Sequence, residues 1–211
     1  MATSLGATKR PDGDLEPAWE IAYLFPAQGA WSEDDYLSLT EGTNHLVELS
    51  QGHVEVLPMP TRTHQRIVFF LARVLHRFLM AHGLGTVLFA PLRVRLWEGK
   101  FREPDLVVVL AEHRDREHDA YFDGADLVIE VVSDDDPDRD LVTKRREYAQ
   151  AGIAEYWIVE PQVETITVLR LDRDQYVEHG RFGRGAAAAS ALLPGLSVDV
   201  ATMFDEATDQ V

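Results

Sequence analysis

The 211-residue chain has no cysteine, which excludes disulfides and every thiolate metal site and makes a reducing compartment such as the cytoplasm the expectation. No apolar run approaches the roughly 20 residues needed to cross a bilayer, and no apolar signal core opens the chain, so no membrane partner is expected. Among the eight histidines there is no HExxH and no paired-ligand spacing, and a zinc site is not expected. Gly180, Gly183 and Gly185 do not stand between a strand and a helix as a phosphate-binding loop would. Asp134 to Asp140 lacks the glycine and the terminal glutamate of a calcium loop, because Arg139 and Arg145 occupy those positions. Lysine is scarce too: three, at positions 9, 100 and 144, against 17 arginines.

The formal charge is −16, unevenly spread. Residues 1–60 carry −8, residues 61–102 carry +7 and residues 103–211 carry −15. A basic segment thus sits inside an acidic chain that would otherwise repel nucleic acid. The length and a hydrophobic content of 45% suit one domain, expected over residues 31–211, with residues 1–30 a tail or arm anchored by Trp19, Tyr23 and Phe25.

Ser32 before Glu33, Asp34 and Asp35 predicts a short helix to about Thr40, and Leu46 to Leu57 around Gln51-Gly52 predicts a β-hairpin. The pattern of Ile67, Val68, Leu71, Val74, Leu75, Phe78 and Leu79 predicts an amphipathic helix from Thr63 to about His82, ended by Gly83. Arg62, Arg66, Arg73 and Arg77 form a stripe opposite its apolar side, a candidate nucleic-acid-binding surface joined by Arg93, Arg95, Lys100 and Arg102. The same stripe could equally pair with the acidic remainder of the chain. Strands are expected at Val87 to Ala90, Leu92 to Leu96, Asp105 to Leu110, Leu127 to Val132, Glu155 to Val159, Glu164 to Leu171 and from Tyr176. A second helix, capped by Asp138 or Asp140, should run to Gln150, and residues 186–193 suggest a further helix. The order is α/β with a mixed central sheet flanked by helices; its hairpins exclude a purely parallel sheet.

Within the apolar run Leu127 to Val132 stands one acid, Glu130, and burying a lone carboxylate costs several kcal/mol. It must be protonated, paired with a cation such as a core arginine, or turned toward a metal. A second buried run begins at Pro104-Asp105. If the two strands are neighbours, Asp105 and Glu130 converge, and two carboxylates with a main-chain carbonyl and water make the all-oxygen setting that Mg²⁺ prefers. Alone, Asp105 would read as a turn cap. Asp140, Lys144 and Tyr148 follow at i, i+4 and i+8, which aims Lys144 either at Glu130 or into a surface pair with Asp140.

Pro104-Asp105 followed 25 residues later by Glu130-Val131-Val132 resembles the P-D…(D/E)-x-K signature of the restriction-endonuclease-like nucleases, with Val132 in the lysine position and Lys144 as the lysine moved to the next helix. The segments Leu46 to Leu49, Arg102 to Asp105, Asp126 to Ser133, Asp140 with Lys144 and Tyr148, and Ala151 to Val159 resemble the Uma-type endonuclease family over about residues 32–205. The resemblance implies a restriction-endonuclease-like fold and Mg²⁺- or Mn²⁺-dependent hydrolysis of DNA, with Asp105, Glu130 and Lys144 catalytic. It implies the metal on Asp105, Glu130 and the Val131 carbonyl, Glu48 as an additional acid unless it faces solvent, and a homodimer. His64, on the apolar side of the long helix, approaches the same cleft or serves as a core or capping histidine, and Tyr148 is a further accessory candidate. The competing readings are an inactive nuclease-fold binding protein and a hydrolase of smaller phosphoesters.

Overall fold

The computed structural model describes residues 25–42 and 45–208, together with the backbone of two short antiparallel strands, β1 (Ala7–Lys9) and β2 (Leu15–Pro17), so the amino-terminal arm includes a hairpin. Trp19 and Tyr23 lie outside the described residues, while the Phe25 ring stacks on Trp31 with centroids 6.0 Å apart.

Helix α1 (Glu33–Glu41) opens with a reciprocal cap: the Ser32 hydroxyl accepts from the Asp35 amide, and the Asp35 carboxylate accepts from the Ser32 amide. Its buried Tyr36 donates to the Val47 carbonyl at 2.6 Å, tying the helix to the hairpin of β3 (Val47–Ser50) and β4 (His53–Val56). At the turn between them Gln51 and Gly52 both have positive φ, and a Cβ on Gly52 would lie 2.6 Å from the Gly29 carbonyl oxygen, so only glycine fits.

The long helix α2 (Arg62–His82) is capped by the Thr61 hydroxyl and closed by left-handed Gly83, as the periodicity predicts. Strands β5 (Gly85–Phe89), β6 (Val94–Trp97), β7 (Lys100–Arg102), β8 (Leu106–Leu110), β9 (Phe122–Asp123) and β10 (Leu127–Val131) follow. A π-helical turn over Arg139–Lys144 leads into α3 (Arg145–Gln150), then β11 (Glu155–Glu160), β12 (Thr165–Asp172) and β13 (Gln175–Phe182). The pair β14 (Ala187–Ala189) and β15 (Ser197–Asp199) precedes the last helix, α4 (Val200–Thr208).

Six strands form the central sheet in the order β13-β12-β11-β10-β8-β5, with β10 and β11 parallel and every other neighbour antiparallel. Period-two alternation divides its residues between two cores. Leu106, Val108, Leu127, Ile129 and Trp157 pack against Ile67 and Leu71 of α2 and Phe204 of α4, whereas Val107, Val128, Tyr156 and Ile158 pack against Tyr148 of α3. Position 130 shares a face with Val128, so the same alternation turns Glu130 toward α3. A second sheet, β4-β3-β7-β6-β9, lies to the side and carries Glu48 on β3 and Arg102 on β7.

Two expectations are corrected, and one helix is added to those expected. Residues 186–193 hold strand β14 rather than a helix, because Ala187 to Ala189 pair antiparallel with Ser197 to Asp199. Neither Asp138 nor Asp140 caps the second helix through its side chain; Asp140 is instead buried and turned inward. Helix α4, in which Val200, Met203, Phe204 and Ala207 are buried, was not expected. Leu71 is fully buried under the sheet, so Leu71→Ala should cost about 2–5 kcal/mol in urea unfolding; a loss below about 1 kcal/mol would contradict this packing.

Candidate active site

In the antiparallel pair of β8 and β10 the register ends with Leu106 facing Ile129, and Asp105 and Glu130 are the next residues beyond it on the two segments. Proline at 104 is tolerated because it precedes the ladder. The Asp105 carboxylate docks on the next strand: its Oδ2 accepts from the Val131 amide at 2.7 Å and lies 3.0 Å from His64 Nε2, at the start of α2. Strand pairing and one helix therefore bring together residues 64, 105 and 130–131.

Glu130 is 3% exposed, and two groups meet its Oε1: Lys144 Nζ at 2.9 Å and the Tyr148 hydroxyl, which donates at 2.5 Å. Burial pushes the Glu130 carboxyl up to about 8, Asp140 and Asp105 push the same way, and Lys144 and Tyr148 offset only part of this. The π-helical turn is what aims Lys144 and Asp140 inward together, and Lys144 Nζ stands 3.1 Å from Asp140 Oδ1 and 3.8 Å from Glu48 Oε1. The turn is secured from below, where the Tyr156 hydroxyl donates to the Asp140 carbonyl at 3.0 Å. Burial alone would lower Lys144, but the charges of Glu130, Glu48 and Asp140 outweigh it and hold the ammonium above its ordinary range. Asp140 is raised by burial and by Asp105 and Glu48, against the pull of Lys144.

Glu48 is 1% exposed, which corrects the solvent-facing alternative. Its Oε2 pairs with Arg102 Nη1, and its Oε1 accepts from the Glu103 amide at 3.2 Å. Burial would raise Glu48, yet Lys144 and Arg102 together hold it below the ordinary carboxylate value. Arg102 reaches on to Glu147, Nε to Oε2 at 2.8 Å, and Lys100 meets the same carboxylate at 2.5 Å. An ionic chain thus runs from Lys100 through Glu147, Arg102, Glu48 and Lys144 to Glu130, joining the two sheets.

This arrangement fits a hard divalent ion. The candidate donors are all oxygen: three acids, Glu48, Glu130 and Asp140, gather about the ammonium of Lys144, and the charge of Asp105 is felt by both Glu130 and Asp140. Among the described residues no three His, Cys, Asp or Glu side chains form a ready metal cage. The candidate donors are accordingly the two carboxylates of Asp105 and Glu130 with the Val131 carbonyl; the contact Val131 makes here is through its amide.

The sequence model of the family described as "Uma2: Putative restriction endonuclease" matches residues 33–201. The chain belongs to the Uma2 family. Its fold is restriction-endonuclease-like: the crystal structure of a putative nuclease belonging to DUF820 from Anabaena variabilis superposes with a TM-score of 0.69 at 19% identity, over 84% of this Uma2 chain and 99% of that one. No curated protein matches the chain.

Of the residues singled out in the sequence of this Uma2 protein, Glu48, His64, Asp105, Glu130, Val131, Lys144 and Tyr148 all lie in one connected cluster. The arginine surface is narrower than expected. Lys100 and Arg102 are buried in the ionic chain, Arg95 pairs with Glu33 and Asp123, and Arg73 pairs with Glu206 of α4. On α2, Arg62 and Arg77 are exposed and Arg66 is half-buried. Sequence reasoning gave Glu103 and Glu147 no role, and it read Asp140 as a cap, as a surface partner of Lys144, and with Lys144 and Tyr148 as part of the family resemblance. Nothing in the local pattern marks Glu103 or Glu147, whereas the i, i+4, i+8 spacing already set Asp140 on the face of Lys144 and Tyr148.

Glu103, 5% exposed, is pushed up to about 7 by burial and the charge of Glu48, against an amide donated by Val47. Between the ordinary 4.5 and 7 the native protein holds a proton that the unfolded chain has lost. This group's stabilisation is therefore complete below about 4.5 and is lost as the pH climbs through 7. Urea unfolding of Glu103→Gln and the parent from pH 5 to pH 8 should show the variant gaining relative stability with pH; a pH-independent difference would contradict the assignment.

Proposed function

We propose that this protein is a divalent-metal-dependent nuclease that hydrolyses phosphodiester bonds in DNA. The observation that carries the reading is the docking of Asp105 on the Val131 amide, next to Glu130, with Lys144 of the following helical segment 2.9 Å from Glu130. The family description and its nuclease structural neighbour support the same reaction class, and the word restriction in that description favours DNA.

A Mg²⁺ or Mn²⁺ ion held by Asp105, Glu130 and the Val131 carbonyl would supply Lewis-acid stabilisation of the charge that develops around phosphorus. The protein's own groups do the rest. Lys144 and Tyr148 hold Glu130 by a single oxygen and fix its rotation. Lys144, a compact ammonium with three donors, orients the attacking water and balances negative charge in the transition state. Glu48, fixed by Arg102, sets the position of Lys144 from the other side. Arg62 and Arg77, exposed on α2, and the half-buried Arg66 are the candidates to contact backbone phosphates.

Supercoiled plasmid, single-stranded DNA and RNA incubated with Mg²⁺ or Mn²⁺ test the reading. The parent should nick or linearise the plasmid and stop when the metal is chelated. Glu130→Gln, Asp105→Ala and Lys144→Ala should each lose on the order of 10²-fold or more while circular dichroism stays native. Parent-level cutting by Glu130→Gln, or cutting indifferent to chelation, would overturn the mechanism, and tight DNA binding without cleavage would favour the inactive binding protein.

A further inference from the structure

Asp105 is held at one oxygen only. Among the described residues both hydrogen bonds on its carboxylate end on Oδ2, from the Val131 amide at 2.7 Å and with His64 Nε2 at 3.0 Å. A carboxylate only accepts, so His64 donates through Nε2. The other ring nitrogen, Nδ1, is buried with no hydrogen-bond partner among the described residues, and a hydrogen placed there would be a buried donor left unpaired, at a cost of about 1–3 kcal/mol. The ring is nonetheless well fixed: the Thr61 hydroxyl accepts from the His64 amide at 3.2 Å at the first turn of α2, and the side chain is 15% exposed. A donor on a rigid helix start, aimed at one oxygen of a strand-end carboxylate, determines how that carboxylate is rotated.

We infer that His64 is a positioning residue that, with the Val131 amide, occupies Asp105 Oδ2 and turns Oδ1 toward the divalent ion. The inference rests on the metal-dependent reading above. It assigns the His64 Nε2–H a function distinct from helix capping or core packing, because groups that orient a metal ligand commonly contribute 10–100-fold in metal affinity while touching no metal.

Calorimetric titration of Mn²⁺ into the full-length parent, His64→Ala and His64→Gln provides the test, with urea unfolding of each to register any loss of stability. His64→Ala should bind Mn²⁺ at least about ten-fold more weakly. His64→Gln, whose side-chain amide also offers an N–H, should recover most of that loss. Long-range ¹⁵N–¹H NMR of the metal-free parent should show the hydrogen on Nε2. Parent-like Mn²⁺ affinity in His64→Ala would overturn the positioning role alone, as would weak binding in both variants or a ring with Nε2 bare. Failure of the parent itself to bind Mn²⁺ would instead overturn the metal-dependent reading, while the NMR result still decides whether Nε2 is the donor to Asp105.

Discussion

A carboxylate on the inner face of an apolar strand constrains everything built around it. Glu130 follows Leu127, Val128 and Ile129 into the sheet, and its alternation with them aims it at the layer beneath α3 rather than at water. Left alone there, the charge would be expelled by protonation. An ammonium and a phenol on a single oxygen offset part of the cost of burying it, and the acid lies next to the Val131 amide on which Asp105 docks. The π-helical turn sets both Asp140 and Lys144 inward, and the α-helical turn after it brings in Tyr148.

A second buried acid shows that burial alone does not produce such a site. Glu155, wholly buried at the start of β11, accepts from Trp157 Nε1, the Ser190 hydroxyl and the amides of Ala191 and Leu192, all between 2.6 and 2.7 Å. Those neutral donors satisfy it completely and tie the loop before β15 to the sheet. Glu130 differs because its surroundings are charged: Lys144 is shared with Asp140 and Glu48, and Glu48 is anchored through Arg102 to Glu147. Charged partners shared among several acids thus distinguish the surroundings of Glu130 from those of Glu155, whose neutral donors hold a loop.

How much of this was legible in the sequence follows from the range of each interaction. The elements came out because apolar period and turn chemistry are local, as with α2 and the Gln51-Gly52 hairpin. The trio of Asp105, Glu130 and Lys144 stands out in the sequence because each breaks a local rule: an acid at the start of an apolar run, an acid inside another, and the one lysine after residue 100 in an arginine-rich chain. The buried state of Glu48, Lys100 and Arg102 does not, since an alternating strand can present either face to solvent and only the pairing of β3 with β7 decides which. Ala187 to Ala189 misled for a related reason: alanine favours helix locally, and strand β14 exists through its partner β15.

The central claim, that Asp105 and Glu130 converge on a divalent ion, is tested most directly by anomalous diffraction from crystals of this protein equilibrated with Mn²⁺. The account predicts an anomalous peak between the two carboxylates and within coordination distance, about 2.0–2.3 Å, of their oxygens and the Val131 carbonyl. Mn²⁺ bound elsewhere, or no peak with Glu130 still held by Lys144 and Tyr148 at saturating Mn²⁺, would contradict it.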